Sequence, residues 1–385
     1  MMSHLRSAPL LPPGFADLLP PEAEALRQAR DGVLGTLRGW GYRLVRPPLL
    51  EADTALFAGA GDNRPGNTFR LPDPQSREML ALRADMTPQI GRIAATRLGS
   101  APRPLRLCYA GEVLRTQASG HDPSRQMIQA GAELIGAASP QAVAEVILLA
   151  VASCQAMGLE KLSVDLCLPA LVDDLVQTAD VLPHQRDLLA AALQHKDIGA
   201  LPQDLSAPVR ALCAALFACV GPLAATLPQL ADLPLLNDRQ RVLVAEVRAL
   251  AALLATAQLA QQGVTLTLDL SERQGFSFQS GVCFALFAPG LRGEIGRGGA
   301  YRIDLNGEPA AGFSVYLDPL LRALPKAAAP RLVLVPLGCG GDVAERLRQA
   351  GDTPVQSLVS AGPSADEARK LGCVGWWDGK TVQTL

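Results

Sequence analysis

An excess of either charge is missing from this sequence. Its 385 residues carry 35 Lys and Arg against 37 Asp and Glu, a net charge of −2. No basic surplus announces nucleic-acid binding, and no acidic run suggests a solvating tail. Metal-binding patterns are missing too. The eight cysteines, at 108, 154, 167, 213, 219, 283, 339 and 373, form no CxxC pair and have no histidine at zinc spacing. Scattered through apolar segments, they read as small buried hydrophobes, so neither a metal nor a cofactor is expected. The four histidines stand apart, which argues against a His-centred catalytic constellation. No apolar run reaches the length needed to cross a bilayer. Prolines interrupt the N-terminal MMSHLRSAPLLPPGFADLLPP before an apolar core of signal-peptide length can form. The expectation is a soluble, cytoplasmic protein of two or three domains with a sizeable core.

What is present is concentrated between Leu105 and Gly136. This stretch reads RLCYAGEVLRT, a loop QASGHDPS, and RQMIQAGAELIG. In its second half Ile128, Ala130, Ala132 and Leu134 alternate with Arg125, Met127, Gln129, Gly131 and Glu133. Strict alternation predicts a strand, and two strands around a Gly/Asp/Pro/Ser loop predict a hairpin. Gln129 and Glu133 share one face, about 13–14 Å apart along the strand. That separation suits the two ends of a small polar molecule, and glycines at 111 and 131 leave room for its close approach. A salt-bridged solvent face has the same spacing, and the pattern alone leaves both readings open.

The rest of the chain alternates between strand and helix signals. Leu26, Ala29, Val33, Leu37 and Trp40 mark one face of a helix after Pro20-Pro21, with Glu22 and Glu24 in its first turn. Tyr42–Arg46 predicts a strand ending at Pro47-Pro48. Residues 59–66, GAGDNRPG, show no regular pattern. Thr68–Leu71 and Glu78–Leu82 predict short paired strands. In LRADMTPQIGR a strand ends at Arg83 and a helix begins near Thr87, with Pro88 at its first position and Thr87 as the expected cap. Pro140–Met157 predicts an amphipathic helix and Leu162–Leu168 a strand. From Pro169 to about Gln262, Leu and Ala dominate at helical spacing, which predicts an inserted helical subdomain of four or five helices with Asp173, Asp174, His184 and His195 on solvated faces. Leu266–Leu270, the segment SERQGFSFQSGVCFALF, GRGGAYRIDL and EPAAGFSVYLDPLLRAL return to strands and a closing helix. After the linker PKAAAP, residues 331–385 read as a small α/β unit. Gly338, Gly340 and Gly341 lack the lysine of a phosphate loop and predict a tight turn. His121 is expected to be solvent-exposed in the hairpin loop, and Trp376-Trp377 to point to opposite sides of a strand.

LPPGFADLLP, GYRLVRPPLLE, LRADMTPQIGR, the RLCYAGEVLRT…RQMIQAGAELIG hairpin and GRGGAY follow one another as they do in the catalytic domain of histidyl-tRNA synthetase. This resemblance covers residues 10–324. It implies an α+β architecture of class II aminoacyl-tRNA synthetase type: an antiparallel sheet flanked by helices in residues 1–168 and 263–324, with a helical insertion in 169–262 and the small α/β domain in 331–385. It also implies a histidine-binding set. Asp85 and Thr87 would meet the amino group, Arg115 the carboxylate, Gln129 and Glu133 the length of the ligand, and Tyr301 the imidazole end. Pro48, in the segment that resembles motif 1, would lie at a dimer interface.

Departures from the synthetase pattern point to a relative without its chemistry. Where the synthetases have RGLDYY this chain has RQGFSFQ, with Gln274 at the arginine position (Arg273 if the register slips by one) and Phe278 and Gln279 at the aromatic pair. Gln117 replaces the glutamate that reads adenine, and Pro319 replaces the arginine of motif 3. A proline supplies neither a cation nor a planar donor fork, whereas adenylate chemistry needs positive charge aimed at phosphates. The sequence therefore resembles the ATP phosphoribosyltransferase regulatory subunits. That resemblance implies a non-catalytic protein that joins the short-form catalytic phosphoribosyltransferase in the first step of histidine biosynthesis and mediates feedback by histidine. It implies a homodimer within a larger hetero-oligomer, with no membrane or nucleic-acid partner. The alternatives are a divergent histidyl-tRNA synthetase and a free-standing tRNA sensor.

Overall fold

Leu26, Ala29, Val33 and Leu37 recur every three or four residues, and in the computed structural model they form the buried face of the helix Glu22–Gly39. Residues 11–58, 63–118, 123–179, 181–273, 279–324, 329–359 and 362–385 are described; Gln274, Phe278 and His121 lie outside them. The chain divides into two compact units, residues 1–325 and 326–385.

The strands of the first unit are β1 (Arg43–Leu44), β2 (Leu50–Ala52), β3 (Arg70–Pro72), β4 (Met79–Leu82), β5 (Leu105–Leu114), β6 (Gln126–Ile135), β7 (Leu162–Cys167), β8 (Val220–Pro222), β9 (Val264–Asp269), β10 (Gln279–Phe287), β11 (Gly296–Arg302) and β12 (Pro309–Tyr316). Nine of them form one sheet in the order β1-β5-β6-β12-β11-β10-β7-β9-β8. Most neighbours run antiparallel, as expected of the class II fold, but β1 joins β5 and β7 joins β9 in parallel. β2, β4 and β3 make a separate three-stranded antiparallel sheet. The strand expected over Tyr42–Arg46 is only two residues long, because the two prolines that follow it cannot donate to a ladder.

One face of the large sheet packs against Glu22–Gly39, against Pro140–Ala156 and against helices of residues 169–256. Leu37, Val33 and Ile147 are fully buried there, and each such side chain contributes roughly 1.5–3 kcal/mol. Pro140–Ala156 is buried nearly all round rather than amphipathic. It is the helix between the sheet and the outer helices, and the side-chain hydroxyl of Ser139 caps it at the Ala142 amide. The described residues of 169–262 supply five α-helices, Pro169–Thr178, Pro183–His195, Ala207–Ala218, Leu223–Thr226 and Asp238–Thr256, together with the edge strand β8. Asp174, expected on a solvated face, is buried and accepts from Asn237 Nδ2 at 2.8 Å and Gln240 Nε2 at 3.0 Å. Asp173, His184 and His195 are not buried. The other face of the sheet is covered by the helix Thr87–Ala95, through Met86, Ile90 and Ala94.

The second unit holds β13 (Arg331–Val335), β14 (Asp352–Gln356), β15 (Gly375–Trp377) and β16 (Val382–Thr384), ordered β14-β13-β15-β16. Helices Gly341–Gln349 and Ala365–Lys370 connect them. Gly338 turns with φ +76°. β14 contains Pro354, which an edge strand tolerates because its amide need not join a ladder. Trp376 and Trp377 pack into different apolar clusters, as alternation requires.

Candidate functional site

Strand register assembles the candidate site. Tyr109 on β5 stands opposite Gly131 on β6, which stands opposite Ser314 on β12. One pleat away Gln129 faces Tyr316, and in the other direction Glu133 faces Gly312. Side chains two residues apart share a face, so Tyr109, Gln129, Glu133, Ser314 and Tyr316 emerge on the side covered by Thr87–Ala95. The polar face of the hairpin is therefore interior. Gln129 and Glu133 are each 1% exposed, which removes the solvent-face reading. Glycines make the space: a Cβ on Gly131 would lie 2.8 Å from the Tyr109 hydroxyl, and one on Gly312 would lie 1.7 Å from Glu133 Oε2.

Asp85, Thr87, Arg115, Gln129, Glu133 and Tyr301 all line one cavity. At its inner end Glu133 is gripped by two tyrosines. Tyr301 donates its hydroxyl to Oε2 at 2.8 Å and Tyr109 donates to Oε1 at 3.1 Å. Tyr109 also meets Thr87 Oγ1 at 3.2 Å and Ser314 Oγ at 2.9 Å. With its single proton committed to Glu133, Tyr109 accepts from those two hydroxyls. Burial pushes the Glu133 carboxyl up to about 8, the largest effect, against the lowering influence of the two tyrosine hydrogen bonds. Burial likewise holds both phenols well above their ordinary range.

Gln129 joins the two walls of the cavity. Its Nε2 donates to Asp85 Oδ1 and to Ser314 Oγ, both at 2.8 Å, and its Oε1 accepts from the Met86 amide at 2.8 Å. Both amide protons are thus used within the protein, so Gln129 orients Asp85 as well as lining the cavity. Asp85 Oδ1 also accepts from the Thr87 amide at 3.0 Å. Thr87 is the first helical residue rather than the expected cap; Met86 holds the cap position with no side-chain cap bond, and the Thr87 hydroxyl turns toward Tyr109. Buried Asn63 clamps this loop. Its Oδ1 accepts from the amides of Ala84 and Asp85 at 2.7 and 3.0 Å, and its Nδ2 donates to the Asp85 carbonyl at 2.8 Å.

Arg115 stands at the outer end. Its Nη2 donates to the Tyr316 hydroxyl at 2.7 Å, and its guanidinium lies 4.8 Å from that ring's centre. Gln279, which pairs with Tyr301 in the β10–β11 register, and the ion-paired Glu294 and Arg297 also line the cavity. Arg273, the alternative activation arginine, bonds Asp173 Oδ1 at 2.6 Å and is not among the cavity residues. Pro319 lies in the 3-10 turn Asp318–Arg322.

Tyr109, Ser314, Tyr316, Glu294, Arg297 and Asn63 were not anticipated. Tyr109 and Ser314 lie in apolar strands where nothing distinguishes them from core residues, and Asn63 lies in a loop with no pattern. Among the described residues no group of three His, Cys, Asp or Glu has metal-holding geometry, and no helix is long and apolar enough to cross a membrane.

The sequence profile of the histidyl-tRNA synthetase family matches residues 14–320. An ATP phosphoribosyltransferase regulatory subunit from Rhodospirillum centenum is 39% identical over 381 residues, covering 98% of this chain and 97% of that protein. A protein of the same name from Gluconobacter oxydans is 40% identical over 386 residues, covering 100% of both. Among solved structures, one described as an ATP phosphoribosyltransferase regulatory subunit/histidyl-tRNA synthetase from Bacillus halodurans C superposes with a TM-score of 0.81 at 24% identity, covering 98% of this chain and 99% of that one. The histidyl-tRNA synthetase of Nostoc sp. PCC 7120 gives 0.75 at 17% identity, covering 95% and 90%. These two structural likenesses speak for the fold.

Proposed function

The chain belongs to the ATP phosphoribosyltransferase regulatory subunits, a histidyl-tRNA synthetase-like family, and from that premise we propose that its cavity binds free histidine and reports it to a separate catalytic subunit. Its role is regulatory, in histidine biosynthesis. The finer reading concerns how. The observation that carries it is the pairing of a buried carboxyl group held by two phenols at one end of the cavity with an arginine at the other.

An amino acid presents an ammonium that needs acceptors, a carboxylate that needs a cation and, in histidine, ring nitrogens that need partners. Asp85, Thr87 and Ser314 offer acceptors. Arg115 offers a planar donor fork. Glu133 and Tyr301 meet the ring, and a carboxyl near 8 can change protonation as an imidazole arrives. The chain does not aminoacylate in this reading, because Pro319 and Gln274 replace arginines and Gln117 replaces the adenine-reading glutamate. A short-form phosphoribosyltransferase is its catalytic partner, and a homodimer within a larger cytoplasmic hetero-oligomer is its assembly.

Reconstitution tests this. The purified chain is mixed with a short-form phosphoribosyltransferase from the same genome, and activity is followed as histidine is added. The reading expects activity only with both chains present, and inhibition by histidine that Glu133→Ala weakens. Inhibition unchanged by Glu133→Ala would place the histidine site elsewhere.

A further inference from the structure

Arg115 lies just beyond the regular hairpin, whose ladder ends at Leu114 opposite Gln126. One further rung in the same register ties it to Arg125. The Arg115 amide donates to the Arg125 carbonyl at 2.7 Å, and Arg125 Nε donates back to the Arg115 carbonyl at 3.1 Å. Arg125 does not line the cavity. It is held from outside by the segment Pro12–Phe15. The Arg125 amide donates to the Gly14 carbonyl at 2.9 Å and Nη1 donates to the Pro13 carbonyl at 3.0 Å. Its guanidinium lies 5.2 Å from the Phe15 ring centre and 5.0 Å from that of Phe69, within cation–π range of both. The approach is close enough to require glycine. Gly14 has φ +83°, and a Cβ there would lie 2.6 Å from Arg125 Cδ and 2.8 Å from the Pro123 carbonyl.

We propose that residues 12–15 form a strap that positions Arg115 through Arg125, so that recognition of the ligand's carboxylate depends on a segment outside the cavity. The proposal rests on the reading that Arg115 meets that carboxylate. Arg125 is a positioning residue in this scheme: its guanidinium is engaged by two aromatic faces and two carbonyls, and it reaches the ligand only through the backbone of Arg115. A displaced strap leaves Glu133, Tyr109 and Tyr301 in place, since they are held by the strand register and by one another. The defect is therefore specific to one end of the ligand.

Calorimetric titration of the full chain with histidine and with histidinol, which carries a hydroxymethyl group where histidine has its carboxylate, separates the possibilities. Wild type is expected to prefer histidine, and Arg115→Ala to lose that preference. Phe15→Ala and Arg125→Lys are expected to weaken histidine about three- to tenfold, part of what a charge-assisted hydrogen bond supplies, while histidinol affinity stays the same. Phe15→Trp, which keeps an aromatic face, is expected to retain the preference and serves as the folded control. If Arg115→Ala removes the preference but Phe15→Ala and Arg125→Lys keep it, the strap is overturned and the reading of Arg115 stands. If the strap variants weaken both ligands equally, the effect is general loosening and the strap is again overturned. If Arg115→Ala keeps the preference, the reading of Arg115 fails and the strap proposal fails with it.

Discussion

Tyr301 donates its hydroxyl to Glu133 Oε2 over 2.8 Å, though 168 residues separate the two. The pair joins β11 to β6 across the intervening β12, whose Gly312 leaves the gap. It also keeps a carboxyl inside the protein, where an unpaired charge would be strongly disfavoured.

That burial makes stability depend on pH. The Glu133 carboxyl titrates near 8 in the folded chain against an ordinary value of 4.5. Between those values the folded state holds more protons than the unfolded one, so stability falls as pH rises through this window and levels off above it. Glu133→Gln removes the titration. Urea unfolding of both chains at pH 5 and pH 8.5 is expected to show the variant gaining on wild type at the higher pH. An equal difference at both values would contradict the buried-carboxyl account.

Gly312→Ala places a methyl 1.7 Å from Glu133 Oε2. Overpacking of this kind destabilises by about 1–3 kcal/mol. Relief requires Glu133 to leave its two tyrosines, so histidine binding is expected to weaken as well. Denaturant unfolding and calorimetry on the same sample check both effects.

The segment resembling motif 1 leaves Leu44 50% and Leu49 40% exposed beside the edge strand β1. Apolar residues beside an unpaired edge suit an isologous contact. A dimer at micromolar concentration is expected by light scattering without the catalytic subunit, and Leu44→Asp is expected to shift it toward monomer.

Aminoacylation is expected to be absent. Pyrophosphate exchange with ATP and histidine should stay at the no-protein level, because the arginines that would face phosphates are replaced at Pro319 and Gln274. Exchange above that level would restore the synthetase reading.

The site was legible where local pattern and chemistry coincide. Alternation over residues 125–134 placed Gln129 and Glu133 together without any tertiary information, because a strand's period fixes the face. The burial of that face was not legible. It depends on the helix Thr87–Ala95 packing over it, and a solvated strand has the same alternation. Tyr109 and Ser314 were invisible for a related reason: their hydroxyls matter only once β5, β6 and β12 are side by side, which is a long-range fact. Thr87 does not cap its helix because the helix begins on it, and the neighbouring Asp85 carboxylate is held by Gln129 from a distant strand, a long-range contact.

The central claim is that the Glu133 pocket holds free histidine. Titrating histidine into the wild-type chain and into Glu133→Ala by calorimetry tests it most directly. The account predicts binding by wild type and a loss of about 1.5–3 kcal/mol in the variant, the range for hydrogen bonds to charged groups. Equal affinities in the two chains, or no binding to wild type, would contradict it.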